Sequence, residues 1–449
     1  MIEVGFGCRL PAGSGPVRGH NQPNRSRWHW LRKRGNVTFV RPAEEIDDRK
    51  ERFYLAIASV LRWARLFGVF PLSNITATDP DAFRFHCFSP FVVLCALSVT
   101  GGMLMTVAAL VRLGRVGINA MNIAVPIFYG TCTVLNLVFV RLARGWRSFM
   151  VYWAEREEMF FARPYGAINL QRKVIGLAVC IMVSALVEHV LYVINQAYNV
   201  YQESLTCQYN ITNPLKLYGS LTFRSVFQSV PYHHLIMLYL LYMTVSLTFV
   251  WTFTDLFLML IATGIACRLG QLNKRIDSNL QTCSEAFWHE MRTHFVGLME
   301  LVERTNRFVG PLVIVSCAND MYFLCLQTLN TLEDKPFDIN EWYFRYSFSF
   351  LILRTTVKLW FVADVREQSL RTHQLVQRVR SEHFTDELEI LRICSGGCSV
   401  ALSGMGFFSI TRRIFLTMAG SILTYELVLM RFHRSSKGVG EDLPCSYTD

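Results

Sequence analysis

Three side chains that can hydrogen-bond a polar ligand lie within about one helical turn inside a long apolar stretch. They are Glu188, His189 and Tyr192. An ionisable group in such a stretch is costly, so it indicates a functional site. A structural role is an equal alternative, because Glu188 could pair with His189 or with a basic neighbour and hold helices together. The pattern therefore predicts either a ligand site or a stabilising ion pair.

A second polar group lies farther along the chain. Asn319, Tyr322 and Gln327 combine an aromatic ring with two amides. Amides both donate and accept hydrogen bonds, so Asn319 and Gln327 suit a ligand rich in hydroxyl groups. These three side chains are a second set of candidate ligand contacts.

Buried charges near this second group have a different explanation. Asp320 lies beside Asn319, while Arg354 and Lys358 are four residues apart in the next apolar stretch. Buried charges must be paired, so we expect an ion pair between Asp320 and Arg354. Trp251 and Asp255 also share a helix face, but we place them near the inner end of their stretch and assign them a structural role.

Composition defines the elements that must position these groups. The chain has 449 residues, of which 52% are hydrophobic and 18% charged, and its mean hydropathy is +0.27. This apolar excess is too large for the surface of a soluble domain. We therefore expect an all-α, polytopic membrane protein.

Seven stretches approach the length of about 20 apolar residues that a membrane helix needs. The fourth is too long for one crossing, so we expect its last turns, from about Ile261, to project into water. The seven predicted spans are Phe88 to Leu110, Ala120 to Val140, Val174 to Ile194, Leu235 to Cys267, Phe308 to Leu329, Tyr343 to Val362 and Ile414 to Met430.

The basic residues orient these spans, because short cytoplasmic loops accumulate lysine and arginine. The loops after the second, fourth and sixth spans are rich in arginine, whereas those on the opposite side carry few basic residues. The N-terminus is therefore predicted to be cytoplasmic and the C-terminus extracellular. Anionic lipid of the inner leaflet accounts for the net charge of +11, so a bilayer is expected as partner and nucleic acid is not.

Four regions follow from this topology. We expect residues 1–55 to be a disordered, basic cytoplasmic tail and residues 56–87 to contain a helix along the inner membrane surface. Residues 88–432 form the membrane domain, and residues 433–449 form a short extracellular tail.

Cysteines and glycosylation sequons add little chemistry. Asn210 is the one sequon placed outside, and a bridge between Cys207 and Cys445 has weak support. Cys394 and Cys398 lack a neighbouring histidine, so reduced thiols are favoured over a zinc site. No cofactor is expected. The chain lacks the short motifs of metalloproteases, P-loop enzymes and serine hydrolases, so it is predicted not to be an enzyme.

A resemblance to a known family rests on several motifs. The last apolar segment reads Thr424-Tyr425-Glu426-Leu427-Val428-Leu429-Met430-Arg431-Phe432, and it is similar to the terminal signature of insect gustatory receptors, which is Thr-Tyr, five mostly apolar residues, then Gln-Phe. The sugar-receptor branch is favoured by Arg141-Leu142-Ala143-Arg144-Gly145-Trp146, Glu188-His189, Thr248-Phe249-Val250-Trp251 with Asp255, and Ala401-Leu402-Ser403-Gly404-Met405.

The resemblance implies a tetrameric, ligand-gated, non-selective cation channel that responds to sugars and assembles with related subunits. Its seventh helices would line a pore, so Thr424, Tyr425, Arg431 and Phe432 become pore or gate candidates. The alternatives are a metabotropic seven-helix chemoreceptor and a sugar transporter. Against a transporter, the helix count is odd and no repeated halves are evident.

Arg431 departs from the family pattern, which has glutamine at that position. Four arginines around a pore axis would oppose the entry of cations. Arg431 could extend outward to the membrane interface, pair with Glu426, or belong to a subunit that works with partners retaining glutamine. We favour the outward position, with the mixed assembly as the next alternative.

Overall fold

The computed structural model describes residues 48–118, 120–209, 213–281, 284–331, 339–380, 382, 385–397 and 400–433. Within them the chain is almost entirely helical. The helices are α1 (Asp48–Glu51), α2 (Phe53–Ala64), α3 (Pro90–Val116), α4 (Ala120–Glu157), α5 (Leu170–Cys207), α6 (Pro214–Thr222), α7 (Arg224–Phe227), α8 (His234–Asp277), α9 (Glu285–Thr331), α10 (Ile339–Gln377), α11 (Asp386–Gly397) and α12 (Ile414–His433).

Five of the described helices are long and apolar enough to cross a membrane. They begin at Pro90, Asn122, Leu170, His234 and Glu285 and correspond to the first five predicted spans. The sixth predicted span lies in α10, whose centre carries Arg354 and Lys358, and the seventh lies in the short apolar helix α12. Length and composition alone therefore identify fewer spans than the seven that we predicted.

Local sequence explains where several helices begin. The Ser89 hydroxyl accepts a hydrogen bond from the backbone N–H of Phe91, and Pro90 occupies the first position of α3. His233 caps α8 in the same way, with its Nδ1 accepting from the backbone N–H of Leu235 at 3.2 Å. These caps satisfy backbone donors that have no partner inside the helix.

Helix α8 is the centre of the bundle and packs against α4, α5, α9 and α10. Its residues from Thr252 to Ala266 are all buried. The expectation that the helix projects into water beyond Ile261 is therefore wrong. The last turns do extend the helix, but Leu269, Leu272 and Ile276 are fully buried, because neighbouring helices surround them.

The N-terminal helices are part of the folded core. Ile57, Leu61 and Ala64 lie on α2, in the region where a helix along the inner membrane surface was predicted, and they are buried against the bundle. Helix α1 begins at Asp48, so helical structure starts before the predicted boundary at residue 56. Residues 1–47, with most of the predicted tail, lie outside the described residues.

A buried ion-pair network attaches this N-terminal region to α4 and α8. Arg268 on α8 donates from Nε to Oε1 of Glu157 on α4 at 2.9 Å and from its terminal nitrogen to the backbone carbonyl of Glu51. Glu157 in turn accepts from the backbone N–H of Phe53 at 3.1 Å. Glu51 accepts from the backbone N–H of Ile168 at 3.0 Å. We call Glu51, Glu157 and Arg268 the N-terminal clamp.

Gly264 explains how closely α2 can approach α8 at this level. A Cβ atom at this position would lie 2.7 Å from Cδ2 of Phe53 and 2.9 Å from Cζ2 of Trp153. These two rings stack with their centroids 4.2 Å apart. A larger residue at 264 would separate the helices that the N-terminal clamp holds together.

A short hairpin precedes α12. Strands β1 (Ser403–Gly404) and β2 (Phe408–Ser409) pair in antiparallel register, with Ser403 opposite Ser409. Asn306 on α9 holds the hairpin, since its Nδ2 donates to the carbonyl of Ala401 and its Oδ1 accepts from the N–H of Ser403, both at 2.9 Å. The hairpin thereby fixes the chain that enters α12 against α9.

Helix α11 is also attached to α9. Glu387 accepts hydrogen bonds from the Arg292 guanidinium and pairs with Nδ1 of His289 at 3.0 Å. These interactions hold the pKa of Glu387 below its usual value. In the loop between α4 and α5, burial raises the pKa of Tyr165 to about 12, so its hydroxyl is protonated where it contacts His294 at 2.7 Å.

Candidate functional site: a polar cluster within the helix bundle

Four charged side chains from three helices meet in the core of the bundle. Arg354 on α10 lies with its Nε 3.0 Å from Oδ2 of Asp255 on α8. Lys358, one turn farther along α10, lies with its Nζ 3.0 Å from Oδ1 of Asp255, and it also pairs with Asp320 on α9. All four are at most 3% exposed. Two acids and two bases balance, so the group can be buried without net charge.

Neutral side chains complete this charged group. Ser316 donates to Oδ1 of Asp255 at 2.7 Å and accepts from Lys358 at 2.7 Å. Trp251 donates from Nε1 to Asp320 at 3.3 Å, and the Arg354 guanidinium lies over the Trp251 ring, 4.5 Å from its centroid. We call Asp255, Asp320, Arg354 and Lys358 the charge quartet.

The charge quartet corrects two expectations. The predicted pair of Asp320 and Arg354 exists only as a long contact of 4.0 Å, because Lys358 is the close partner of Asp320. Asp255 was placed near the inner end of its crossing, yet it lies at the level of Asp320. Arg354 and Lys358 on α10 bridge α8 and α9 at the same level along the bundle. The residue spacing within one helix does not show how residues of different helices align.

Glu188 pairs with neither His189 nor a lysine or arginine at ion-pair distance within the described chain. Its Oε1 accepts a hydrogen bond from the Ser347 hydroxyl on α10 at 3.0 Å. Tyr343 lies beside the same carboxylate, and Arg354 is close enough to interact with its charge. The ring of Tyr192, one turn along α5, lies 6.1 Å from that of Tyr343. Glu188 and Tyr192 therefore do lie together, with α10 as the facing helix.

The side chain of His189 points away from that of Glu188, although the two are adjacent in sequence, and its ring lies 5.9 Å from that of Tyr192. The His189 side chain lines a groove of about 530 Å³ between α2, α5 and α8, together with Thr248 and Thr252. Neither Glu188 nor Tyr192 lines that groove. Consecutive residues of a helix point about 100° apart, so one of the pair faces α10 and the other faces α8.

Asn319 and Tyr322 belong to a second patch, between α4 and α9. Asn319 is buried, and its Oδ1 accepts from the Thr131 hydroxyl at 2.9 Å, while no hydrogen-bond partner to its Nδ2 is found within the described chain. Tyr322 is half-buried and meets Phe323 edge to face at 5.1 Å. Trp251 lies 4.9 Å from Phe323 and also touches the charge quartet, so it connects the two regions.

The remaining candidates are less closely associated. Gln327 is half-buried, and no hydrogen-bond partner to its Oε1 is found in the part of the chain that the structure describes. Thr424 is exposed and donates to the carbonyl of Gly420 within α12 at 2.8 Å, and Tyr425 is also exposed. Arg431 and Phe432 lie in α12, but their side chains are outside the described part of the chain.

Sequence reasoning missed several members of this site. Tyr343 and Ser347 lie four residues apart on α10, on the face toward α5, and Ser316 lies four residues before Asp320 on α9. Tyr129 on α4 lies near Tyr192. Spacing of this kind could have singled out Tyr343 and Ser347 as one polar face. No feature of the sequence distinguishes Ser316 or Tyr129 from other polar residues of membrane helices.

Two further predictions concern the extracellular side. Cys207, at the end of α5, is disulfide-bonded. Cys445, its predicted partner, lies outside the described residues, so this pairing stays a prediction. Asn210, the predicted glycosylation site, also lies outside them. Cys394 is half-buried on α11, and its predicted neighbour Cys398 is not among the described residues, so the reduced state of the two thiols stays a prediction.

The apolar helices around a buried polar cluster define a multi-pass membrane receptor fold. Two solved structures of the insect olfactory receptor OR5 from Machilis hrabei share this fold. The one in complex with eugenol aligns with a TM-score of 0.60 at 14% sequence identity, covering 84% of this chain and 99% of that receptor. The other has a TM-score of 0.59 at 15% identity.

Sequence comparison then defines the family. Residues 36–445 match the family model described as trehalose receptor. Among Drosophila melanogaster proteins, the gustatory receptor for sugar taste 64a is 31% identical over 88% of this chain and 87% of its own length. The gustatory receptor 5a for trehalose is 27% identical over 94% of this chain and 97% of its own length. The chain belongs to the trehalose receptor family, within the insect gustatory receptors, and is a multi-pass protein of the plasma membrane.

Proposed function

We propose that this chain is a subunit of a sugar-gated, non-selective cation channel that acts in taste. The observation that carries the proposal is the family match over residues 36–445, whose relatives are named as receptors for sugar taste and for trehalose. A buried polar site inside an apolar helix bundle is the arrangement that a hydroxylated ligand requires, because each buried hydroxyl must find a hydrogen-bond partner.

The proposed topology has seven membrane helices, formed by α3, α4, α5, α8, α9, α10 and α12. The N-terminus is cytoplasmic and the C-terminus extracellular, as the arginine-rich loops indicate. Four subunits surround a pore lined by α12. In support, Leu416, Leu423 and Tyr425 on α12 are 79%, 65% and 58% exposed in the single chain, so this helix has a free face for neighbouring subunits.

The sugar site is proposed to lie between α5 and α10, with Glu188 and Tyr192 on one side and Tyr343 and Ser347 on the other. The Glu188 carboxylate accepts hydrogen bonds from sugar hydroxyls, and the tyrosine rings pack against the ring C–H groups. The amide nitrogen Nδ2 of Asn319 has no hydrogen-bond partner within the described chain. It extends the site toward α4, beyond Trp251. His189 lies at the edge of this site, with its ring 5.9 Å from that of Tyr192.

Gating requires that the sugar binds the open shape more tightly than the closed one. Moving a gate from mostly shut to mostly open takes a difference of about 5 kcal/mol. The site suits this role, because α10, which forms one side of it, is joined to α8 and α9 by the charge quartet. Helix α12 packs against α9. Movement of α9 is therefore expected to be transmitted to the proposed pore helix.

The experiment is whole-cell recording while a sugar panel that includes trehalose is applied. The chain is expressed alone and with a related subunit, each with wild-type Arg431 or with Arg431→Gln. Fast, sugar-evoked cation current from the wild type alone supports a self-sufficient channel with Arg431 away from the pore axis. Current only with a partner or with glutamine supports a mixed assembly with Arg431 in the conduction path.

The same recordings test the two alternatives. Sugar accumulation without current would identify a transporter, and loss of the response when G-protein signalling is blocked would identify a metabotropic receptor. Silence under every condition, with surface expression intact, would overturn the proposed function. Alanine at Glu188 or Gln327 should weaken the response at unchanged surface expression, and an equal loss of expression would assign those residues a structural role.

A further inference from the structure

One asparagine in the outer half of α5 is buried, although most residues around it on this helix are not. Beyond Ile181, the buried residues of α5 are Asn195, at 7% exposure, and Ser204. The Ser204 hydroxyl donates to the carbonyl of Tyr201 within the helix. The side-chain oxygen Oδ1 of Asn195 has no hydrogen-bond partner within the described chain. A buried acceptor without a donor destabilises the folded state, so this position requires an explanation.

Asn195 continues the polar face of α5 that carries the proposed sugar site. It follows Tyr192 by three residues and Glu188 by seven, and residues with these spacings lie on one face of a helix. At 1.5 Å per residue, the row from Glu188 to Asn195 is about 10 Å long. In the topology proposed above, α5 runs outward, so Asn195 lies at the extracellular end of the row. This is the end from which a sugar enters.

Helices α10 and α6 both pack against α5. Tyr218 on α6 lies near Tyr192. Helix α6 is in turn packed closely against the start of α8, since a Cβ atom at Gly219 would lie 2.6 Å from Sδ of Met237. The outer part of the site therefore has an aromatic wall that is held in place by the rest of the bundle.

Asn195 differs from the asparagines that hold elements of this chain together. Asn273 on α8 donates from Nδ2 to the carbonyl of Gln368 at 2.8 Å and accepts from the Thr372 hydroxyl at 2.6 Å. Asn306 likewise uses both ends of its amide to hold the hairpin before α12. Oδ1 of Asn195 makes no such bond to α6 or α10 among the described residues. It is therefore available to a donor from outside the described chain.

We propose that Asn195 is a further ligand contact of the sugar site and sets part of its specificity. This inference rests on the function proposed above. Oδ1 of Asn195 accepts a hydrogen bond from one hydroxyl of the bound sugar, about two helical turns outward from the carboxylate of Glu188. Such a site discriminates against a sugar that lacks this hydroxyl, because the buried oxygen is then left without a donor.

The test compares whole-cell currents evoked by one sugar and by analogues of it that each lack a single hydroxyl. The sugar is the one of the panel, trehalose first, that activates the wild type at the lowest concentration. Asn195→Leu removes the amide at similar volume, and Asn195→Ala removes it without adding bulk. Gln196→Leu is the matched control, because Gln196 is half-buried and points about 100° away on α5. Recordings are compared at matched surface expression.

In the wild type and in Gln196→Leu, we expect one analogue to need a concentration about 3 to 10-fold higher than the parent sugar for half-maximal current. In both Asn195 variants the parent sugar should need a similarly raised concentration, and its advantage over that analogue should disappear.

The contrary outcomes are separable. If both Asn195 variants keep the discrimination between the two sugars, or if neither variant reaches the surface, Asn195 has a structural role and the proposal is overturned. The absence of sugar-evoked current in the wild type would instead overturn the proposed function, and this inference with it.

Discussion

Lys358 on α10 lies 3.0 Å from Asp255 on α8 and joins that carboxylate to Asp320 on α9. We predict that Lys358→Met destabilises the protein by about 3–5 kcal/mol, because it leaves excess negative charge buried in the bundle. Thermal unfolding in detergent, followed by size-exclusion chromatography, measures the loss. Lys173→Met, on the exposed start of α5, is the matched control. Adding Asp320→Asn to Lys358→Met should recover part of the stability, and no recovery would contradict the pairing.

The opposite orientations of Glu188 and His189 give a second prediction. Glu188→Gln should raise the sugar concentration for half-maximal current by about 10 to 100-fold, since a hydrogen bond to a charged group contributes about 1.5–3 kcal/mol. His189→Asn should change that concentration less, because His189 lines the groove against α8 and approaches the site only through the ring of Tyr192. Dose–response recordings at matched surface expression measure both. Equal effects from the two substitutions would show that the site is not between α5 and α10.

The N-terminal clamp predicts a local effect. Arg268→Met leaves Glu157 buried without its closest cation, so α2 should detach from α4 and α8 more readily. Hydrogen exchange followed by mass spectrometry should show faster exchange in residues 53–64, by about tenfold or more, with α9 unchanged. Arg307→Met removes an exposed arginine of α9, whose ion-pair partner Glu303 is on the same helix, and is the control. Unchanged exchange in α2 would mean that its apolar face alone holds it.

Acidification should release α11 from α9. The folded state lowers the pKa of Glu387, so its ion pair stabilises the docked helix above the ordinary glutamate pKa of about 4.3 and is lost as the pH falls through the lower, folded value. After correction for intrinsic rates, hydrogen exchange in residues 386–396 should be constant from about pH 7 to 5 and rise below about pH 4.3. Glu387→Gln should remove this dependence. A rise that persists in Glu387→Gln would implicate another group.

Much of the fold follows from composition, because lipid requires long apolar helices and the chain provides them. The first five predicted spans match helices α3, α4, α5, α8 and α9 in order. The helix ends could not be predicted from apolarity. Helix α9 begins at Glu285, more than twenty residues before the predicted start at Phe308, because its cytoplasmic turns are polar and are held by packing against α11.

The candidate site was less predictable, since it depends on the relative depth of separate helices. The rule that a charge in a membrane helix needs an explanation pointed to Glu188 and Asp320, and both carboxylates have polar partners in the structure. It could not show that Ser347 contacts Glu188 or that Lys358 contacts Asp320. Those pairings follow from how α10 sits between α5, α8 and α9, and side-chain packing across several helices sets that position.

Helix α8 carries Trp251 and Asp255 near the proposed sugar site and Arg268 in the N-terminal clamp, without interruption from His234 to Asp277. A continuous helix of 44 residues is about 66 Å long. If the helix tilts as a rigid rod by about 3°, one end moves by about 3 Å relative to the other. We therefore expect a small rearrangement around Asp255 to displace Arg268, and with it Glu51 and Glu157. The N-terminal region and the proposed ligand site would then move together, because both are attached to the same helix.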